Sequence, residues 1–246
     1  MADDVPDPRD GPLAALRWFR RTDNEAVLFV RELVSSALVV ALIGVLLFAV
    51  SGLWPPLVAV ESGSMTPHLQ KGDLVFVMEE HRFAGADATG ATGVVTYQTG
   101  QRTGYAKFEE PGDVVVYAPD GNEETTPIIH RARFWVADGE NWYDEANPNY
   151  VLGAENCKEL RNCPAPHAGF ITKGDSNPAY DQAVGISTPV QPDWVRGTAE
   201  FHIPWLGWVR LAVTGDASLT TPLVTGDTAR LSGTVNPTSG ASAAPA

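Results

Sequence analysis

Polar and apolar positions change rhythm twice along the 246 residues of the chain. Residues 1–32 are polar, no charge then occurs between Glu32 and Glu61, and residues 33–54 inside that gap are almost wholly apolar. A run of about 20 such residues is long enough for a helix to cross a bilayer, so 33–54 is read as one transmembrane helix. Trp54 suits an aromatic belt, and Pro55-Pro56 ends the helix, because proline lacks a backbone donor and clashes with the preceding turn. A cleaved secretory signal is the alternative, but the run is long and starts past residue 30. Arg9, Arg17, Arg20, Arg21 and Arg31 ahead of it place the N-terminus in the cytoplasm and the chain after Pro55 outside.

Beyond Pro56 the pattern becomes short β-type runs separated by turns. Leu57 to Val60, Leu74 to Met78, Val114 to Tyr117, Ile128 to Val136, Phe170 to Lys173 and Trp194 to Ile203 read as strands, several entered through Gly-Asp turns. No amphipathic helix of normal length is evident there, so the domain is read as mainly β. Two stretches, Glu79 to Glu110 and Asp138 to His167, read as insertions forming surface hairpins or loops. The aromatic run from Ile203 to Trp208, preceded by His202, suits a bilayer interface or core packing. From Thr214 onward apolar side chains are sparse, which predicts a disordered tail. The expected organisation is a cytoplasmic segment at 1–32, a single span at 33–54, an extracytoplasmic β domain at 55–213 and a tail at 214–246.

Charge narrows the function. A net charge of −13, from 30 acidic and 17 basic residues, argues against a nucleic-acid binder, whose affinity rests on neutralising phosphates. Only four of the basic residues are Lys; an acidic, Lys-poor surface fits solubility in high salt. Cys157 and Cys163 lack zinc-site spacing, and outside the cell they are expected to form a disulfide, with two free thiols as the alternative.

Catalytic chemistry is suggested by Glu61-Ser62-Gly63-Ser64-Met65-Thr66-Pro67, just past the apolar run. A Ser-Gly-Ser turn by itself is ordinary turn chemistry. A serine nucleophile needs a base within hydrogen-bond reach and a group to orient that base. Of five histidines, His130 lies in an apolar strand, whereas His68, His81, His167 and His202 sit in polar turns or beside aromatics. Asp175 and Asp181 flank a Ser-Asn-Pro turn; Asp175 follows Gly174 as Asp73 and Asp113 follow their glycines, and Asp181 has no such turn role. Asp181 is therefore the better orienter of His130, with Asp175 left open as the alternative. An inert serine turn on a membrane-anchored binding or scaffold domain is the competing reading.

The order Ser-Gly-Ser-Met-x-Pro after a span, Gly-Asp-led strands, Ile-His-Arg, and Thr-Lys-Gly-Asp-Ser-Asn-x-x-x-Asp-Gln resembles type I signal peptidase. More narrowly it resembles the archaeal and endoplasmic-reticulum branch, in which His replaces the bacterial catalytic Lys; the acidic surface points to a haloarchaeal source. The resemblance implies a mostly antiparallel β peptidase domain that cleaves signal peptides from exported precursors, with no cofactor or metal. It implies Ser64 as nucleophile, His130 as general base, Asp181 as orienting acid, Asp175 as a second important carboxylate, and Ser62 as an oxyanion donor. Expected partners are secretory precursors and the lipid bilayer, with accessory membrane subunits left open.

Overall fold

The computed structural model describes residues 11–214. Apart from Thr214, the expected tail at 214–246 lies outside them. In chain order the elements are α1 (Pro12–Arg21), α2 (Glu25–Ser51), β1 (Leu57–Ala59), β2 (Leu74–Met78), α3 (Tyr97–Thr103), β3 (Ala106–Lys107), β4 (Glu110–Pro111), β5 (Val114–Tyr117), β6 (Ile128–Val136), β7 (Gly169–Lys173), α4 (Asp181–Val184), β8 (Val195–Ile203) and α5 (Gly207–Thr214). Each strand expected from the sequence is present, with ends within one residue of the expected ones.

The apolar helix differs from the expected 33–54. The side chain of Asn24 accepts the Ala26 N–H at 3.1 Å, so α2 starts at Glu25 and its first two turns carry Glu25, Arg31 and Glu32. A charged first turn obeys capping chemistry rather than hydropathy, which is why the apolar pattern alone misses it. The helix stops at Gly52, whose left-handed conformation (φ +80°) lets its N–H reach the Phe48 carbonyl at 2.8 Å. Among the described residues α2 is long and apolar enough to cross a membrane. The polar segment ahead of it contains a helix, α1, that sequence patterning did not reveal.

The end of α2 is fastened to the β domain. Ser51 is fully buried; its Oγ donates to the Val77 carbonyl at 2.7 Å, and its carbonyl accepts the Glu79 N–H at 2.9 Å. The strands form a six-stranded antiparallel sheet in the order β1-β2-β8-β5-β6-β7, with β3 and β4 as a separate small hairpin. All four residues of β5 are buried, as expected for a strand covered on both faces. One core (Val60, Met65, Leu69, Val75, Val114, Val116) lies under the serine turn; another (Val115, Tyr117, Ala132, Phe170) forms around the opposite sides of the same strands.

The insertion at 138–167 is not only a surface loop. Trp142, Val151 and Leu160 are buried with Phe134, Ile171 and Tyr180 in a core of their own. Tyr180 is its centre, with edge contacts to Phe134 (5.6 Å), Tyr150 (5.5 Å) and Trp142 (6.0 Å). A few large aromatics bury enough area to offset a polar composition. The Cys157–Cys163 disulfide is formed within this insertion. The insertion at 79–110 contains α3 and β3 and buries Val94 and Val95.

Candidate active site

The serine turn is held from two sides. Met65 and Leu69, both fully buried, anchor it in the core, and the Thr66 N–H closes the turn on the Gly63 carbonyl at 3.1 Å. The turn after β7 supplies the other side: the Ser176 N–H donates to the Ser64 carbonyl at 2.9 Å, and Ser176 Oγ donates to the Gly63 carbonyl at 2.9 Å. Gly174 is required here, because a Cβ on it would come within 2.6 Å of the Ser64 carbonyl oxygen.

His130 Nε2 lies 2.9 Å from Ser64 Oγ, and its Nδ1 lies 2.7 Å from Asp181 Oδ2. A carboxylate opposite Nδ1 requires a proton on that nitrogen, which leaves the Nε2 lone pair to accept from the serine hydroxyl. The register explains the placement of His130: it pairs with Val115 on β5, and Ala132 pairs with Thr172 on β7. Side chains alternate along a strand, so His130, Tyr117 and Thr172 share one face. Asp181 enters from the first turn of α4, fully buried, directly after Tyr180. The insertion core thus helps to fix the carboxylate. Tyr117 Oη donates to Asp181 Oδ2 at 2.9 Å and Thr172 Oγ1 does so at 2.7 Å. Burial, then the neighbouring Asp181 charge, pushes the Tyr117 phenol well up, so it remains a donor. Asp181 Oδ1 has no hydrogen-bond partner among the described residues.

Asp175 lies apart from His130, in a setting of its own. Its carboxylate is bonded to Arg131, from Nε at 2.9 Å and Nη2 at 2.7 Å, and to His68 Nδ1 at 2.9 Å, not to His130. Burial alone would raise this carboxyl, but the Arg131 guanidinium and His68 hold it below the usual range. Arg131, fully buried, also donates to the carbonyls of Lys107 (3.0 Å) and Gly112 (2.9 Å). Arg131 and Asp175 are neighbours because the register pairs Arg131 with Lys173, two residues before the turn carboxylate. His68 was set aside in the sequence for its polar turn; its side chain is mostly buried against Asp175. Lys173 Nζ donates to the carbonyls of Gly174 (2.8 Å) and Asn177 (2.7 Å), and burial, then Arg133, pushes its amine down.

Ser62 Oγ lies 3.2 Å from Ser64 Oγ, on the exposed side of the turn. The structure therefore brings Ser62, Ser64, His130 and Asp181 together and puts Asp175 behind the turn. Sequence reasoning missed Tyr117, Thr172, His68 and Arg131; the Arg of Ile-His-Arg was the available signal for the last. For metals, Glu79, Glu80 and His81 bring three potential ligand atoms within 4.8 Å. His81 there is exposed and already bonded to Glu79 at 2.9 Å and to the Ala91 carbonyl at 3.0 Å.

A groove of about 1070 Å³ opens over the serine, lined by Leu53, Val58, Ala59, Ser64, Ile129 and His130 among others. It borders β1, an edge strand of the sheet. The arrangement can move the Ser64 proton to Nε2 beside a cleft that runs along a sheet edge.

A serine, an imidazole and a buried carboxylate in line, on an antiparallel β domain behind an apolar helix, define a nucleophilic-serine architecture. No protein-family model matches the chain. It is similar to the signal peptidase complex catalytic subunit SEC11 of Paracoccidioides brasiliensis (strain Pb03), 28% identical over 161 residues, 63% of this chain and 65% of that protein. It is also similar to SEC11 of Eremothecium gossypii, 27% identical over 64% of this chain and 65% of the relative, and of Komagataella phaffii, 25% identical over 65% and 67%. The chain spans just under two thirds of the length of the first of these relatives.

Proposed function

We propose that this chain is a membrane-anchored serine endopeptidase of the type I signal peptidase kind, which removes signal peptides from exported precursors. The observation that carries the reading is the line Ser64 Oγ, His130 Nε2, His130 Nδ1, Asp181 Oδ2, with contacts of 2.9 and 2.7 Å. The similarity to SEC11 catalytic subunits supports the substrate class. Ser64 Oγ attacks the scissile carbonyl while its proton passes to Nε2; the tetrahedral intermediate collapses as Nε2 returns that proton to the leaving amine. Water, deprotonated by the same nitrogen, then hydrolyses the acyl-enzyme ester and frees Ser64. Asp181 holds Nδ1–H in place and stabilises the imidazolium. Ser62 Oγ and the Ser64 N–H are the oxyanion donors, each worth about 3 kcal/mol in the transition state.

In this reading α2 crosses the membrane once with its N-terminus cytoplasmic, and the β domain is extracytoplasmic. A signal peptide lies in the bilayer, so an anchored enzyme meets its cleavage site already at the right depth, which raises effective concentration. The substrate adds as a strand along the outer edge of β1, beyond the Leu57 carbonyl that Arg210 holds. The acidic surface fits a haloarchaeal setting, and the name of the relatives leaves room for accessory subunits. The test is cleavage of a signal-peptide-bearing precursor in membranes or detergent at high salt, comparing wild type with Ser64→Ala and His130→Ala. Loss of cleavage after a small residue in both folded variants supports the reading. Equal cleavage by Ser64→Ala overturns it.

A further inference from the structure

Three hydrogen bonds converge on one oxygen of Asp181. His130 Nδ1 (2.7 Å), Tyr117 Oη (2.9 Å) and Thr172 Oγ1 (2.7 Å) all reach Oδ2, while Oδ1 has no partner among the described residues. A buried carboxylate oxygen left without a donor is costly, so the lopsided pattern needs a reason. Shifting one donor to Oδ1 would relieve the cost, but Tyr117 and Thr172 are fixed by the sheet. Tyr117, fully buried, is packed among Val94, Val115, Ala132 and Phe170. Thr172, also fully buried, has its N–H on Gln182 Oε1 at 2.9 Å and its hydroxyl accepting from Gln182 Nε2 at 3.3 Å.

We infer that Tyr117 and Thr172 are positioning residues that orient Asp181 and set how strongly its carboxylate attracts a proton onto His130. The inference rests on the serine-peptidase reading of Ser64 and His130. Every hydrogen bond donated to Oδ2 disperses its negative charge. With both hydroxyls in place, Asp181 directs Nδ1–H while the negative charge of Oδ2 is shared among three donors. Removing a hydroxyl concentrates charge on Oδ2, the imidazolium is favoured, and Nε2 becomes unavailable at a higher pH than before. The charged and titratable groups around the carboxylate are Tyr117 from β5, with Asp120 beyond it, His130 from β6, and Lys173 from β7 with Arg133 beside it. Thr172→Val leaves that set unchanged, and Tyr117→Phe removes from it only a phenol that burial keeps neutral, so the effect is isolated to hydrogen bonding.

The experiment uses the full-length protein at high salt and measures two profiles against pH: cleavage of a signal-peptide-bearing precursor, and modification of Ser64 by a fluorophosphonate, read by mass spectrometry. For Tyr117→Phe and Thr172→Val the expected result is a loss of about tenfold in kcat with KM unchanged. The acid limb of both profiles should move to higher pH by about half a unit. In the double variant, losses smaller than the product of the single ones are expected, because both act through one oxygen. Acid limbs that superimpose on wild type overturn the inference, whatever the melting temperatures do. If wild type cleaves no precursor and Ser64 is not modified at any pH, the peptidase reading falls first and this inference with it. Modification of wild-type Ser64 with unmoved limbs in the variants removes this inference alone.

Discussion

Asp175 grips Arg131 with both carboxylate oxygens, at 2.9 and 2.7 Å, from a turn whose next residue holds the Ser64 carbonyl. The pair is almost fully buried, with side-chain exposures of 0% for Arg131 and 6% for Asp175. Its position behind Ser64 rather than beside His130 makes Asp175 a partner of the serine turn.

Replacing Asp175 by Asn leaves a buried guanidinium without its counter-charge, which typically costs 3–5 kcal/mol. The remaining carbonyl partners of Arg131 place the expected loss near the lower end, about 3 kcal/mol. The carboxyl sits below its ordinary range in the folded protein, so its contribution is fully present above the unfolded value of about 3.9 and is lost as pH falls through the lowered folded value. Denaturant titrations at several pH values should show Asp175→Asn less stable at neutral pH and less sensitive to acid below about pH 4. Parallel curves for the two proteins would contradict the pairing.

Gly174→Ala should separate activity from stability. The new Cβ would lie 2.6 Å from the Ser64 carbonyl and 2.8 Å from Asn177 Nδ2, so the turn and Ser64 must move apart. A displacement of about 1 Å at a reacting group costs roughly 100-fold in rate, against an overpacking cost of about 1–3 kcal/mol in stability. Precursor cleavage and thermal melting measured together check this; wild-type turnover would mean that the turn does not set the position of Ser64.

The disulfide should behave in the opposite way. Closing the short loop between Cys157 and Cys163 stabilises by about 2 kcal/mol on the chain-entropy account. The double variant Cys157→Ser, Cys163→Ser is expected to melt at lower temperature while cleaving at nearly the wild-type rate below its transition. A large fall in turnover with unchanged melting would show that the bridge acts on Asp181 through the Tyr180 cluster.

What could be read from the sequence divides by the range of the interaction. The strands at 74–78, 114–117 and 128–136 were legible because β-branched runs between Gly-Asp turns are local signals. Ser64, His130 and Asp181 stand in recognisable motifs, and the structure brings their side chains together. Tyr117 was hidden because its partner is 64 residues away and only the β5–β6 register puts it on the face of His130. The same is true of His68, whose partner Asp175 is 107 residues away. The insertion at 138–167 was misread because its composition is polar on average, whereas its burial rests on Trp142, Val151 and Leu160. The start of α2 was missed because capping by Asn24 outweighs the charges that follow it.

The buried Ser51, bonded to Val77 and Glu79 of the β2 segment, leaves almost no slack between the apolar helix and the sheet. In the proposed orientation, the helix cannot tilt without carrying the sheet, and the serine turn beyond β1, with it. Under the peptidase reading, height above the lipid would then be a coordinate of the reaction. Membrane thickness would select cleavage sites by their distance from the hydrophobic edge, so that the bilayer would act as part of such an enzyme's specificity.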